Sequence, residues 1–269
     1  MPASRGLSAR ESGSECGCGS APALVAVAHG SRDPRSAATV AALMDEVRRQ
    51  RPGLDVRLSF LDLSAPRLPD AMAAVAADGH GRAVVVPLLL GHAFHARVDV
   101  PGEVSRAARR HPRLDIAVAP VLGGDTRLET AALRRLEAVA GPLDDPGLGV
   151  VLAAIGSSHA PANAAVAAVV DGWVRRFPWS GGRAAFATAT SPTVTEAVGR
   201  LRDSGAERVV VAQWILAPGL LPDRIARDAH AAGALVAAPL GPDPDVAATV
   251  LGRYDAARAA GLLVRGATG

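Results

Sequence analysis

The hydrophobic pattern of this chain alternates short apolar runs with longer amphipathic segments. Residues 24–28 form an apolar run with the length of a strand, and residues 34–49 carry apolar side chains every three to four positions, which predicts a helix. The alternation continues with strands predicted at 56–61, 83–90 and 114–119 and helices predicted at 66–77, 101–110 and 126–140. Four strand and helix units in succession predict a parallel, doubly wound α/β sheet flanked by helices.

The pattern starts again after a cluster of turn-forming residues. Glycine and proline are concentrated in the segment GPLDDPG at 141–147, which predicts a linker. A strand at 149–155 and a helix at 161–176 follow it. We therefore divide the chain into a disordered tail at 1–22, a first domain at 23–140, the linker at 141–147, a second domain at 148–261 and a tail at 262–269.

The second half repeats the first at one constant offset. The shift that places Gly30-Ser31 on Gly156-Ser157 also superposes, without a gap, Phe60 on Phe186, Pro66 on Pro192 and Gly79 on Gly205. Agreement of glycine, proline and phenylalanine at a single offset indicates an internal repeat. We predict two tandem copies of one α/β domain, each built on a mainly four-stranded parallel sheet.

The two copies differ at residues that carry chemistry. The same offset places His29 on Ile155, His95 on Leu221 and Asp62 on Thr188. The second copy thus keeps the scaffold residues and replaces the polar ones. This difference predicts a working site in the first half and a structural or lid role for the second.

His29 and His95 each follow a predicted strand of the first copy. Ligands of open parallel sheets bind outside the carboxyl ends of the strands, so we expect the two histidines to meet over one cleft. Imidazole is a transition-metal ligand or a proton acceptor at neutral pH. Two such ligands leave an open shell for Fe²⁺, Co²⁺ or Zn²⁺, which suits a metal that must react or be delivered. Asp62 is the nearest carboxylate partner that the sequence predicts.

The charge composition favours a small anionic ligand. All 29 basic residues are arginine, and the net charge is +3. Arginine pairs with carboxylates in a bidentate manner, and Arg32, Arg35 and Arg97 flank the two histidines. No basic stripe interleaved with aromatic residues is present, which argues against nucleic acid as a partner.

Cysteine usage and hydropathy argue against a disulfide-stabilised, secreted or membrane-spanning protein. Cys16 and Cys18 are the only cysteines and lie one residue apart, so they cannot cross-link a core, and we do not expect an iron–sulfur cluster there. Residues 1–22 lack the apolar core of a signal peptide, and the longest apolar run is too short to span a bilayer. These features predict a cytoplasmic protein that does not bind membranes.

Three segments of the first half together resemble a known family. His29-Gly30-Ser31-Arg32, then Phe60-Leu61-Asp62 with Pro66, then His95-Ala96-Arg97-Val98-Asp99-Val100-Pro101 are similar to the sirohydrochlorin chelatases of the CbiX and SirB type, in their long two-domain form. The resemblance implies two tandem chelatase-like domains that insert Co²⁺ or Fe²⁺ into sirohydrochlorin, in cobalamin or siroheme biosynthesis. It also implies that the divalent metal is a substrate, that no organic cofactor takes part, and that a monomer uses its repeat as a pseudo-dimer.

The resemblance assigns residues to roles as well. The two metal-binding, catalytic histidines of the family correspond to His29 and His95. We expect five further residues to bind the tetrapyrrole substrate: Ser31, Arg32, Arg35, Asp62 and Arg97.

Two other functions remain open at the level of sequence. The pattern His-Gly-x-Arg-x-Pro also occurs at the phosphorylated turn of histidine phosphatases, although that family requires an arginine where this chain has Ala28. A non-catalytic metal or tetrapyrrole carrier would use the same two histidines. Trp173, Trp179 and Trp214 lie in the second half, where we predict that they pack in the core.

Overall fold

The structure, a computed structural model, describes residues 21–91, 99–261 and 263–264. The first half contains β1 (Ala23–Ala28), α1 (Pro34–Gln50), β2 (Val56–Phe60), α2 (Leu68–Ala77), β3 (Arg82–Pro87), α3 (Val100–Arg110), β4 (Asp115–Val118) and α4 (Thr126–Ala140). The second half contains β5 (Leu148–Ala154), α5 (Ala160–Arg176), β6 (Gly181–Phe186), α6 (Val194–Asp203), β7 (Arg208–Gln213), α7 (Leu220–Ala231), β8 (Leu235–Val236), α8 (Pro244–Ala260) and β9 (Leu263–Val264).

Each half forms its own sheet, which confirms the predicted fold class. The first sheet has the order β2-β1-β3-β4-β9, and the second has the order β6-β5-β7-β8. Within each sheet four strands run parallel, while the short strand β9 joins the edge of β4 in antiparallel orientation. In both sheets the first strand of the half lies between the second and the third, as in doubly wound folds.

The continuous apolar runs arise because both faces of each sheet are covered. In β1, Leu24 and Ala26 pack towards α1 and α8, whereas Val25 and Val27 pack towards α2 and α3. A strand that is buried on both faces needs apolar side chains at every position rather than at alternate ones. Every residue of β1 is accordingly buried.

The repeat extends to backbone detail. Leu63 and Ala189 occupy equivalent positions after β2 and β6, and both have positive φ angles, of 59° and 66°. Each is the middle residue of a tight turn that a backbone hydrogen bond closes. In the first half Ser64 N donates to Asp62 O at 2.7 Å, and in the second Thr190 N donates to Thr188 O at 2.9 Å. The two copies therefore share the loop conformation at the carboxyl edge of their sheets.

The last helix of each half crosses to the sheet of the other half. Helix α4 packs on β7 and β8, and helix α8 packs on β3, β4 and α1. As a result one apolar cluster runs through both halves and contains side chains of β1, α4, β5 and α8. Two smaller clusters cover the outer faces of the two sheets, under α2 and α3 and under α6 and α7. The halves are thus joined by a shared core.

Tyr254 on α8 ties the last helix to the residue that precedes β1. Its side chain is 1% exposed, and its hydroxyl donates to the carbonyl of Pro22 at 2.7 Å. We expect Tyr254→Phe to lower the free energy of unfolding by about 1–3 kcal/mol, because the ring still fills its space while a buried carbonyl loses its donor. Urea unfolding measures this loss. Thr130→Val, which removes an exposed hydroxyl bonded to Thr126 O, serves as the control, and equal stability of both variants would contradict the assignment.

The three tryptophans lie in the core, as predicted. Trp173, Trp179 and Trp214 are buried, and the Trp173 indole donates to Glu129 Oε2 at 3.0 Å, which links α5 to α4. None of the helices in the described part of the chain combines the length and apolar character needed to cross a bilayer.

Candidate functional site

His29 is the first residue after β1 and stands at the carboxyl edge of the first sheet. The strand before it is buried throughout, whereas His29 itself is exposed. The pairing of β1 with β2 continues past both strands, since Leu61 N donates to Ala28 O and Asp62 N donates to His29 O, each at 2.9 Å. This register brings Asp62 next to His29, as the positions of both residues at strand ends predicted.

Gly30 allows the chain to turn at this point. Its φ is +95°, and a Cβ atom there would lie 1.6 Å from the carbonyl oxygen of Asp62. Only glycine adopts this conformation without strain and leaves room for so close a backbone approach. Gly30 therefore holds the His29 turn against the Asp62 loop.

Ser31 and Ser64 fasten the same two loops. The Ser64 hydroxyl accepts from Ser31 N at 3.2 Å and donates to Ser31 O at 3.0 Å, while the Ser31 hydroxyl accepts from Asp33 N at 3.0 Å. In the second half the Ser157 hydroxyl accepts from His159 N in the same way. Because both copies keep this hydrogen bond, it stabilises the conformation of the turn. Binding of substrate by Ser31 stays a prediction.

Asp62 is held by an arginine that the sequence analysis did not select. Arg67 Nη1 donates to Asp62 Oδ1 at 2.6 Å and to the carbonyl of Leu61 at 2.8 Å. The Arg67 guanidinium holds the pKa of the Asp62 carboxyl below its ordinary value, with smaller contributions in the same direction from Leu63 N–H and from His29. Asp62 is therefore an ionised carboxylate beside the imidazole at neutral pH.

A cleft of about 360 Å³ opens beside these residues. It combines an imidazole with carboxylate and guanidinium groups. These come from the ends of β1 and β2, the start of α2 and the first turns of α3. The lining residues are His29, Leu61, Asp62, Arg67, Asp99, Glu103 and Arg106. The contribution of α3 was not predicted. Asp99 and Glu103 are spaced by four residues on a helix, and this spacing, which places two carboxylates on one face, is the signal that would have revealed it.

The arginines of the His29 turn have different surroundings. Arg35 follows the N-cap Asp33 of α1 and pairs with Asp33 Oδ2 and with Asp223 Oδ2 on α7, both at 2.5 Å. Arg35 thus connects the two halves, and these carboxylates raise its pKa. Arg32 is exposed, and its guanidinium makes no ion pair with any residue that the structure describes.

Several predicted residues lie outside the described residues, namely His95 and Arg97 in the segment 92–98 and Cys16 and Cys18 near the amino terminus. Their roles stay predictions. Within 21–91 and 99–261 no group of three or more His, Cys, Asp or Glu side chains stands close enough to hold a metal ion.

The equivalent edge of the second sheet has lost this chemistry. Ile155 occupies the position of His29 and is 42% exposed. Thr188 occupies the position of Asp62, and its hydroxyl donates to the Ile155 carbonyl at 2.9 Å. Gly156 keeps the turn, with φ +91° and a virtual Cβ 2.2 Å from Thr188 O. The fold of the turn is conserved between the copies while its imidazole and carboxylate are not.

Comparison with known proteins identifies the family. A family model described as CbiX matches this chain twice, at residues 23–139 and 149–257. The chain belongs to the CbiX family. Each match covers one half, so the internal repeat is a repeat of the CbiX domain.

Individual CbiX relatives extend the similarity over both halves. A sirohydrochlorin ferrochelatase of Bacillus subtilis is 27% identical over 206 residues, which cover 77% of this chain and 78% of the relative. A sirohydrochlorin cobaltochelatase of Priestia megaterium is 23% identical over 202 residues, which cover 74% of this chain and 65% of the relative. The structure of SirB from Bacillus subtilis with Fe³⁺ has a TM-score of 0.77 and 26% identity, and the match covers 89% of this chain and 96% of SirB.

Proposed function

We propose that this protein is a sirohydrochlorin chelatase, a lyase-type enzyme that inserts Co²⁺ or Fe²⁺ into sirohydrochlorin in the cytoplasm. The observation that carries the proposal is that His29 and Asp62, joined by a backbone hydrogen bond, line one cleft of the first half, in a chain whose relatives include both ferrochelatases and cobaltochelatases. The second half keeps the fold without these groups. It serves as a scaffold that shares the core with the first half, so that a monomer provides a pseudo-dimeric enzyme.

The reaction requires bases as well as a metal site. The divalent ion replaces two pyrrole N–H protons, so the product is the metallated macrocycle and two protons leave. Once the ion has passed to the macrocycle, the freed nitrogen of the His29 imidazole accepts one of these protons and water accepts the other. A base of this kind contributes about 10²- to 10⁴-fold to the rate. The ionised Asp62 carboxylate stands beside it and attracts the incoming cation.

His29 and Asp62 supply only part of a metal shell. We propose that His95 completes the protein's share, because the segment 92–98 that contains it lies between β3 and α3, and both Asp99, the N-cap of α3, and Glu103 line the same cleft. The remaining positions are filled by water, which the pyrrole nitrogens displace. An open shell of this kind suits an ion that is a substrate and leaves with the product.

The two arginines of the His29 turn provide a test of substrate recognition. We expect Arg32→Gln to raise the KM for sirohydrochlorin about tenfold, because a charge-assisted hydrogen bond to a substrate carboxylate contributes about 1.5–3 kcal/mol. Arg35→Gln is the matched variant, with its guanidinium already paired to Asp33 and Asp223. We expect it to change this KM less than Arg32→Gln does. Steady-state kinetics at saturating Co²⁺ measure both, and the opposite order would contradict the assignment.

Absorbance spectroscopy tests the function itself. Purified protein is mixed with sirohydrochlorin and with Co²⁺ or Fe²⁺ in turn, and the change from free to metallated macrocycle is compared with the rate without enzyme. A rate proportional to enzyme concentration over several turnovers supports the chelatase. Binding of metal or macrocycle without this change would instead identify a carrier. A histidine phosphatase draws no support from the structure, since the residue before His29 is the buried Ala28, which supplies no cation for phosphate.

A further inference from the structure

Arg67 occupies an unusual position for an arginine. It is the N-cap residue of α2, and its side chain makes no hydrogen bond to the first turn of that helix. N-caps favour Ser, Thr, Asp and Asn because their oxygen atoms accept from the free N–H groups of the first turn. A guanidinium has no acceptor and cannot do this. The side chain turns back instead and binds Leu61 O and Asp62 Oδ1.

The second half shows what this position does when the site is absent. Thr193 is the equivalent N-cap of α6, and its hydroxyl accepts from Glu196 N in a capping box. The loop before it has the same backbone turn, with Thr188 where the first half has Asp62. Asp70 Oδ2 still accepts from Arg67 N at 3.3 Å, as Glu196 does from Thr193 N. The half with the carboxylate therefore gives up only the bond made by the N-cap side chain, which the half without the carboxylate keeps.

We propose that Arg67 is a positioning residue for metal insertion, which fixes the Asp62 carboxylate beside His29. The inference rests on the proposed function, because it assigns Arg67 a task only if Asp62 serves the incoming cation. In this role Arg67 acts through its bond to the Asp62 carboxylate and not as a ligand of the metal.

The geometry accounts for this role. The Asp62 side chain is 59% exposed, so little packing restrains it. One guanidinium nitrogen of Arg67 bonds both the carboxylate and the carbonyl just before it, which ties the side chain to its own backbone. A carboxylate ordered in advance loses less freedom when the cation arrives. Outer partners that orient metal ligands in this way typically change affinity or activity by about 10- to 100-fold when removed.

The test uses the residue that the second half carries. We expect Arg67→Thr to lower kcat/KM for Co²⁺ by about tenfold and to leave the KM for sirohydrochlorin unchanged. Thr restores a good N-cap, so the variant folds with stability equal to or above that of the wild type. Arg67→Lys keeps the positive charge but lacks the planar guanidinium. We expect its kcat/KM to lie between those of the wild type and Arg67→Thr.

A double-mutant cycle separates positioning from a general structural role. In an Asp62→Asn background, Arg67→Thr is expected to have no further effect on kcat/KM, because Arg67 acts only through that carboxylate. Arg208→Thr is the matched control. Arg208 also bonds one carbonyl and one carboxylate, those of Ala140 and Asp145, and has the same 46% exposure, but it starts β7 at the opposite edge of the second sheet. We expect this control to retain full activity.

Three results would overturn the inference while the chelatase function stands. The first is a wild-type kcat/KM for Co²⁺ in Arg67→Thr, and the second is an equal loss of kcat/KM in the wild-type and Asp62→Asn backgrounds. The third is a rise confined to the KM for sirohydrochlorin, which would make Arg67 a direct ligand of the macrocycle. Absence of metallation by the wild-type protein itself would reject the proposed function, and the role of Arg67 with it.

Discussion

His29→Ala is expected to lower the enzyme-dependent rate of metal insertion at least about 100-fold while the protein stays folded. The variant removes both a metal ligand and the base that accepts a pyrrole proton, and general-base catalysis alone contributes about 10²- to 10⁴-fold. The side chain is exposed at the end of β1, so its loss creates no cavity. Initial rates with sirohydrochlorin and Co²⁺, measured together with urea unfolding, give both quantities.

His159 offers the matched control for this variant. It stands in the equivalent turn of the second half, at the N-cap of α5, and its side chain makes no capping bond. We expect His159→Ala to retain the wild-type rate. Full activity of His29→Ala, or a larger loss of the metal-insertion rate in His159→Ala than in His29→Ala, would contradict a catalytic site in the first half.

Gly30→Ala is expected to destabilise the protein by about 3 kcal/mol or more. A left-handed conformation alone costs a non-glycine residue about 1–2 kcal/mol. In addition, the new Cβ would lie 1.6 Å from Asp62 O, so the backbone must move and the bond from Asp62 N to His29 O must stretch or break. Urea unfolding measures the loss of stability, and we expect the rate of metal insertion to fall as well because Asp62 moves away from His29.

Two further glycines separate the contributions to this loss. Gly79 has a φ of +85° with open space around its virtual Cβ, so Gly79→Ala reports the cost of the conformation alone. Gly156 repeats the clash in the second half, so Gly156→Ala is expected to destabilise the fold without displacing Asp62. Equal stability of Gly30→Ala and Gly79→Ala would contradict the close approach of the two loops.

Much of this fold is encoded in local patterns of the sequence. The run at 24–28 and the helix pattern at 34–49 correspond to β1 and α1 within one or two residues. Asp33 followed by Pro34 marks the start of α1, because the Asp33 carboxylate accepts from Arg35 N, while Pro34 has no N–H that would need an acceptor. Asp62 could also be named from the sequence as the nearest carboxylate partner of His29, because it stands at the carboxyl end of the second predicted strand.

The exchange of helices between the halves was not predicted. The apolar stripe of α4 or α8 indicates that the helix packs against something, but it does not specify which sheet. Both sheets present similar surfaces of Val, Leu and Ala, as expected of two copies of one domain. The choice depends on the short connections around 119–125 and 237–243 and on specific bonds such as Tyr254 to Pro22, which appear only in three dimensions.

Arg67 is a residue of the cleft that local sequence patterns do not indicate. Its position beside Pro66 and Leu68 belongs to no motif, so nothing in the local sequence singles it out among the 29 arginines. The signal that would have found it is the internal repeat, because the offset that places Asp62 on Thr188 also places Arg67 on Thr193. A comparison of cap residues between the copies would have shown a good N-cap in one and an arginine in the other.

We expect this chain to hold a single site for the metal, in its first half. Equilibrium dialysis against Co²⁺ tests it directly, with wild type, His29→Ala and Ile155→Ala compared at the same protein concentration. We expect one Co²⁺ per chain in the wild type and in Ile155→Ala, and loss of that ion in His29→Ala. Two ions per chain, or one ion that persists without His29, would contradict it.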